Sequence, residues 1–259
     1  MNEPVKRSFH RPDGWASPNR HRVALVTGGA VRLGRAIAFG LADEAFDLAV
    51  NYHSSGTAAQ ELRIRVEGAG RSILLVQADV SQSAEVEKVA QEVEARYGRL
   101  DLLVNNASLF QEGPLLDVAE EEWDRVMAVN LKGPFLLVKR LAPLLAHSRG
   151  SVVNIVDLSA LQPWIRYPHH SVSKAALLHL TRVMARALAP HVRVNAVAPG
   201  AVLPPEDYSE EDLRASAQRS ALKRLGTPED VVRTVLFLDR SPYITGEVIV
   251  VDGGRQLEV

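Results

Sequence analysis

The 259-residue chain contains no cysteine, which removes disulfides, Cys-ligated metal sites and thiol nucleophiles from consideration. It also has almost no charge excess: 30 Lys and Arg against 31 Asp and Glu leave a formal net charge of −1, too weak a field for a dedicated nucleic-acid or anionic-membrane partner. No apolar stretch is long enough to span a bilayer, and no N-terminal apolar segment of the secretory kind is present. The eight histidines have no metal-ligand spacing accompanied by carboxylates, so no metal is expected. What the chain does have is apolar material, 46% of its residues, enough for a sizeable core. These features predict a soluble, cytoplasmic protein of one domain whose partner is a small-molecule substrate, with no nucleic acid and no membrane.

The near-zero charge hides an asymmetry. Residues 1–22 carry five basic and two acidic side chains, a balance of +3, whereas the rest of the chain is at −4. The same stretch holds Pro4, Pro12, Gly14 and Pro18 and no periodic apolar face. It is read as a flexible basic arm ahead of a domain at 23–259.

From residue 23 onward, short runs rich in Val, Ile and Leu alternate with amphipathic stretches. The runs fall at 23–27, 47–52, 72–78, 100–105, 151–156, 192–197 and 247–251. Nearly continuous β-branched runs suit strands buried on both faces of a parallel sheet. Between them lie segments of helical period, such as 83–97, where Val86, Val89, Ala90 and Val93 share a face. Longer helices are expected over 119–147 and 170–189. The alternation predicts an α/β, doubly wound (Rossmann) domain: a seven-stranded parallel sheet with helices on both faces and ligands beyond the carboxyl ends of the strands.

The first strand runs into Thr27-Gly28-Gly29-Ala30-Val31-Arg32-Leu33-Gly34 and then a helix. Glycines there let the backbone turn tightly and approach a pyrophosphate, which would meet the free N–H groups and positive end of the helix. Strand two ends in Asn51-Tyr52-His53-Ser54-Ser55, with no carboxylate to hold a ribose 2′-hydroxyl or repel a 2′-phosphate. Arg32 can pair with such a phosphate and Ser54 and Ser55 can donate to it, which favours NADP(H) over NAD(H).

Further landmarks follow in order: Asp79-Val80, Asn105-Asn106-Ala107-Ser108, Asn130, Lys174, Pro199-Gly200 and Tyr243-Ile244-Thr245-Gly246 leading to Val251-Asp252-Gly253-Gly254. Together they resemble the short-chain dehydrogenase/reductase superfamily over nearly all of residues 23–256. That resemblance implies that Gly28, Arg32, Leu33, Gly34, His53, Ser54 and Ser55 bind the cofactor with Asp79 and Val80 at the adenine. Asn106, Ala107 and Ser108 would line its trough, Lys174 would bond the nicotinamide ribose, and Pro199, Gly200 and Val202 would meet the nicotinamide end. Asn130 would support the active-site helix. The Arg32 turn, Tyr52-His53-Ser54-Ser55, Asn105-Asn106-Ala107-Ser108-Leu109-Phe110 and Val156-Asp157 are most similar to pteridine reductases and dihydromonapterin reductases. There the aromatic at Phe110 would stack on the pterin, Ser108 would contact pterin or cofactor, and Asp157 would stand for the usual catalytic serine. The long helices imply a homotetramer.

One departure divides the functional readings. The superfamily's catalytic tyrosine, four residues before the lysine, is His170 here, in an otherwise intact frame with Asp157 thirteen residues earlier. Spacing i to i+4 puts His170 and Lys174 on one helix face. In one reading His170 takes over proton delivery with Asp157, and the chain is an NADPH-dependent reductase of a dihydropterin-like substrate. A general carbonyl or 3-oxoacyl reductase is the second reading, and a non-catalytic NADP-binding sensor the third. Tyr167 is a substrate-side candidate whose position, three residues before His170, turns it off the catalytic face. The charged stretch at 206–218 is expected to cover the substrate.

Overall fold

The computed structural model describes residues 21–204 and 208–257. Most of the basic arm, and part of the 206–218 stretch, lie outside the described residues. The expected strands are all present within about two residues: β1 (Arg22–Thr27), β2 (Phe46–Tyr52), β3 (Ile73–Gln77), β4 (Leu102–Asn105), β5 (Ser151–Ile155), β6 (Arg193–Pro199) and β7 (Val248–Val251). They form one parallel sheet in the order β3-β2-β1-β4-β5-β6-β7. The order reverses between β1 and β4, and the diverging crossovers there open a crevice at the carboxyl ends of the strands.

Helices cover both faces. On one side α1 (Arg32–Asp43), α2 (Gly56–Gly68) and α8 (Pro228–Arg240) bury Ile37, Leu41, Leu62, Val235 and Leu238 against the sheet. On the other, α3 (Ser83–Tyr97), α5 (Gly133–Ser148) and α6 (Pro168–Leu188) bury Val86, Val93, Leu137, Leu141 and Met184. α7 (Glu210–Gln218) stands apart and buries no residue. Among the described residues no helix is long and apolar enough to cross a membrane.

Two expectations need correction. The arm was drawn to residue 22, but Arg22 opens β1, and its guanidinium grips Asp239 of α8 through two bonds of 2.7 and 2.8 Å. The single helix expected over 119–147 is α4 (Glu120–Met127), a wide π-helical turn at Ala128–Lys132, and α5. Pro134, at the start of α5, has no N–H to continue the regular ladder, and Gly133 sits where a Cβ would come 3.0 Å from the Val80 carbonyl. The apolar pattern runs through this break, although α4 buries only Val126 and packs against α6 while α5 packs on α3 and the sheet. A π turn swings one side chain out of helical register. Here that side chain is Asn130, fully buried, and the break serves the site described below.

α6 is pinned to the sheet by a buried chain of side chains. Asn105 donates to Asn154 (2.8 Å), Asn154 donates to Thr181 (2.8 Å), and Thr181 donates to the Leu177 carbonyl (2.8 Å). The chain pairs the two amide donors and the Thr181 hydroxyl, while the Asn105 side-chain oxygen stays buried without a partner.

Asp239 is buried and also accepts from Ser151. Asp239→Ala should therefore lower stability by about 2–3 kcal/mol, because it strands a half-buried guanidinium as well as removing two charged bonds. Urea denaturation checks this, and a loss within about 0.5 kcal/mol would assign the pair to the weak surface class.

Candidate active site

The crevice is a groove of about 400 Å³, and its walls come from the carboxyl ends of β1 to β4. Gly28, Arg32, Leu33, Gly34, His53, Ser54, Ser55, Asp79, Val80, Asn106, Ala107 and Ser108, the residues expected at the cofactor, all line it. Arg125 and Val129, which no sequence motif marks, line it too.

The glycine turn is tight for a steric reason. Gly28 has φ of +58°, and a Cβ on Gly34 would lie 2.2 Å from the Gly28 carbonyl oxygen and 2.6 Å from the Asn106 amide nitrogen. The backbone is thus packed against itself at the mouth of α1. No side chain caps α1 and no acidic residue sits in its first turn, so its free N–H groups and positive end meet the groove unopposed. Thr27 ties the turn to β4: its hydroxyl accepts from the backbone N–H of Asn106 and of Ala107, both at 3.0 Å. Asn106 returns a bond to the Thr27 carbonyl at 2.9 Å. This surface, with bare backbone, a helix start and the exposed guanidinium of Arg32, fits an elongated phosphate-bearing dinucleotide. Arg32 has φ of +50° and its guanidinium now bonds the Leu203 carbonyl at 3.1 Å.

Beyond β5 the catalytic candidates converge. His170 is almost wholly buried, and its Nε2 lies 2.6 Å from the Asp157 carboxylate while its Nδ1 lies 2.9 Å from the Leu109 carbonyl. Both ring nitrogens therefore face oxygen acceptors. The other Asp157 oxygen accepts from the backbone N–H of Ser159 (2.8 Å) and from its hydroxyl. Burial would raise the Asp157 carboxyl, but the hydrogen bond from His170, the positive charge of Lys174 and the Ser159 hydroxyl outweigh it and hold the group below the ordinary carboxylate value. Lys174, buried, donates to the Ile155 carbonyl at 2.9 Å. Burial pushes its ammonium down, opposed in part by Asp157.

Asn130 holds the opposite wall. Its oxygen accepts from the Leu109 N–H (2.7 Å) and Ser108 hydroxyl (3.2 Å), and its amide donates to the Leu109 carbonyl (3.0 Å) and to Ser173 (2.9 Å). The π turn thus fixes the Ser108–Leu109 backbone whose carbonyl in turn holds His170. The residue was expected in this role; the broken helix that aims it was not.

Phe110 is no core aromatic, being 55% exposed. It stacks on Tyr167 (centroids 4.2 Å apart, 22° between planes) and meets the His170 ring edge-on at 4.7 Å. Trp164 approaches Phe110 at 6.4 Å. Tyr167 precedes the first residue of α6, and its hydroxyl lies 3.3 Å from Glu112, away from Asp157, as its spacing suggested. At the end of β6 the Gly200 N–H bonds the Val251 carbonyl, and the Val202 side chain is buried in the core; with Pro199, these residues do not line the dinucleotide groove. Among the described residues no group of three His, Asp or Glu could hold a metal.

Against known proteins, residues 29–256 match the family model described as enoyl-(acyl carrier protein) reductase. The 3-oxoacyl-[acyl-carrier-protein] reductase FabG of Staphylococcus epidermidis is 35% identical over 243 residues, 92% of this chain and all of that protein. The chain is a member of the short-chain dehydrogenase/reductase superfamily. Among solved structures, the FolM alternative dihydrofolate reductase 1 of Brucella canis, determined in complex with NADP, matches with a TM-score of 0.85 and 36% identity over 92% of this chain and 95% of that one. The acetoin dehydrogenase YohF of Salmonella typhimurium matches at 0.84 and 30%, over 93% and 98%. These relatives place the chain among oxidoreductases and agree with its seven-stranded fold.

Gly34→Ala should abolish dinucleotide binding or prevent folding, since the methyl must displace the Gly28 carbonyl. Fluorescence titration with NADPH, read beside the far-ultraviolet spectrum, tests this; an unaltered dissociation constant would mean that the turn is slack.

Proposed function

We propose that the protein is an NADPH-dependent reductase of a dihydropterin-like substrate. The observation that carries this reading is the exposed Phe110 ring set edge-on to the Asp157–His170 pair, an aromatic face beside a proton-holding pair. A planar, polar heterocycle wants that combination. The NADP-bound alternative dihydrofolate reductase at 36% identity adds weight. A second reading, reduction of a 3-oxoacyl thioester, is favoured by the names of the relatives at 35% identity.

Bound NADPH would supply a hydride to the electrophilic carbon of a C=N bond. The chain's task is the proton. Asp157 and His170 share a 2.6 Å hydrogen bond, and the carboxylate is its more accessible end, so the pair holds a proton where the substrate nitrogen can take it. Ser159 fixes the far carboxylate oxygen, while Leu109 and Asn130 fix the imidazole. Lys174 sets its amine beneath the site, where it would bond a ribose hydroxyl. Arg32, with Ser54 and Ser55 across the groove, would hold the 2′-phosphate. The exposed apolar residues Phe135, Val172 and Val183 on α5 and α6 support a homotetramer built on those helices.

NADPH oxidation assayed with dihydrobiopterin, dihydrofolate and an acetoacetyl thioester decides among the readings. Turnover of the dihydropterins is expected, and turnover of the thioester alone would reject the pterin assignment. His170→Ala should reduce turnover at least about tenfold, in line with general acids that contribute 10²–10⁴. A silent wild type beside an active His170→Tyr variant would point instead to a binding protein without catalysis.

Arg32→Gly should weaken NADPH binding about tenfold or more and leave NADH binding nearly unchanged, because one charge-assisted phosphate contact is lost. Glycine suits a φ of +50° better than arginine does, so backbone strain cannot explain a loss. Equal effects on the two cofactors would assign Arg32 to the loop alone.

A further inference from the structure

The loop after β4 and the loop before α6 meet at the outer end of the aromatic stack. Glu112 there accepts from Arg166 Nε at 2.9 Å and Nη2 at 2.5 Å, and from the Tyr167 hydroxyl at 3.3 Å. The Gly113 N–H also bonds the Arg166 carbonyl at 3.0 Å, so the backbones stay joined whatever the side chains do. Both charged groups are open to water: the Arg166 side chain is 72% exposed and that of Glu112 50%. Such a pair contributes little to stability, and exchanging one carboxylate for another on the same guanidinium changes little. Tyr208, from the segment before α7, lies close enough to interact electrostatically with Arg166.

The position of this pair gives it a use. From His170 the stack runs outward through Phe110 to Tyr167, two rings, and Arg166 is the next residue back along the chain. Tyr167 covers one face of Phe110, so a heterocycle with its reacting bond at Asp157 would lie on the other, its far end at the loop rim that Arg166 and Glu112 form. We propose that Arg166 is a specificity-determining residue that binds an anionic tail on the far end of the substrate, and that Glu112 occupies the guanidinium until the substrate's own carboxylate takes its place. This rests on the dihydropterin reading and narrows it to a conjugate carrying a carboxylate, in preference to a neutral pterin. The planar fork of arginine suits bidentate carboxylate exchange in a way that lysine would not.

The test compares dihydrofolate, which carries carboxylates, with dihydrobiopterin, which does not. The quantity read is the ratio of their kcat/KM values, together with the ratio of their dissociation constants for the NADP+-loaded protein from intrinsic fluorescence quenching. Arg166→Gln should lower the preference for dihydrofolate about tenfold, the loss of one charge-assisted bidentate contact. Glu112→Gln should raise it, because the internal competitor is weakened while the backbone link at Gly113 remains. Ratios unchanged in both variants, with melting temperatures showing them folded, would make the pair a rim clasp and overturn the proposal. If wild type neither binds nor reduces either dihydropterin, the broader dihydropterin reading fails and this inference falls with it; a failure confined to Arg166 leaves that reading intact.

Discussion

The site depends on how β1 and β4 part company. Two parallel strands whose crossovers leave in opposite directions expose backbone N–H groups that nothing in the sheet can pair, and an exposed groove in the middle of a domain invites collapse. Here Thr27 prevents both outcomes. Its hydroxyl accepts from Asn106 and Ala107, and Asn106 closes on the Thr27 and Gly28 carbonyls. The glycine turn is held open on one side by this knot and on the other by the contact of Gly34 with Gly28. What remains unpaired is the start of α1, and that is the part left for a polyanion. On the proposed reading a body of net negative charge holds a phosphate-rich molecule through local N–H groups and one guanidinium, without help from a basic surface.

The second half of the site repeats the logic with side chains. In the superfamily frame a buried lysine, an asparagine and a proton donor face the same space. On the proposed reading this chain keeps Lys174 and Asn130 and has His170 in the donor's place. A phenol presents one hydroxyl; an imidazole has two nitrogens, and both must be paired when buried. Asp157 meets one and the Leu109 carbonyl the other. Histidine at 170 therefore goes with aspartate at 157, since a serine hydroxyl would compensate the buried ring less well. Leu109 is available only because Asn130 holds its backbone from the π turn. The substitution and its neighbours form one unit.

Much of this was legible in the sequence, for identifiable reasons. Strands buried on both faces leave uninterrupted Val and Ile runs, so all seven could be marked within a residue or two. The groove could be read because backbone geometry leaves its mark in glycines and in the residues at strand ends. His170 and Lys174 declared a common face through their i, i+4 spacing. The π turn left no such trace, because Val126 and Val129, three residues apart, continue the spacing of a regular helix into it. Ser159 and Glu112 were missed for a different reason: they meet Asp157 and Arg166 through loops with no period, across separations that a local pattern cannot encode. Arg22 looked like the end of a basic arm until its partner Asp239, far along the chain on α8, was seen.

That division bears on how substrate choice arises in such a fold. The residues proposed to bind the dinucleotide and hold the proton sit at strand ends and on one helix face, where a change disturbs the sheet or its buried polar chain. The residues proposed to meet the outer part of a substrate, Phe110, Glu112, Trp164, Arg166 and Tyr167, lie on two loops joined to the core by few bonds. Their contacts with each other are aromatic stacking and an exposed ion pair, which can be remade at small cost in stability. Relatives whose names point to acyl thioesters, a hydroxyketone and a dihydrofolate can share the fold because chemistry and recognition are carried by parts of very different rigidity. In this chain Phe110 meets the His170 ring edge-on, and the Leu109 backbone beside it is fixed by Asn130, so on the proposed reading the orientation of that aromatic decides what can lie flat beside the proton.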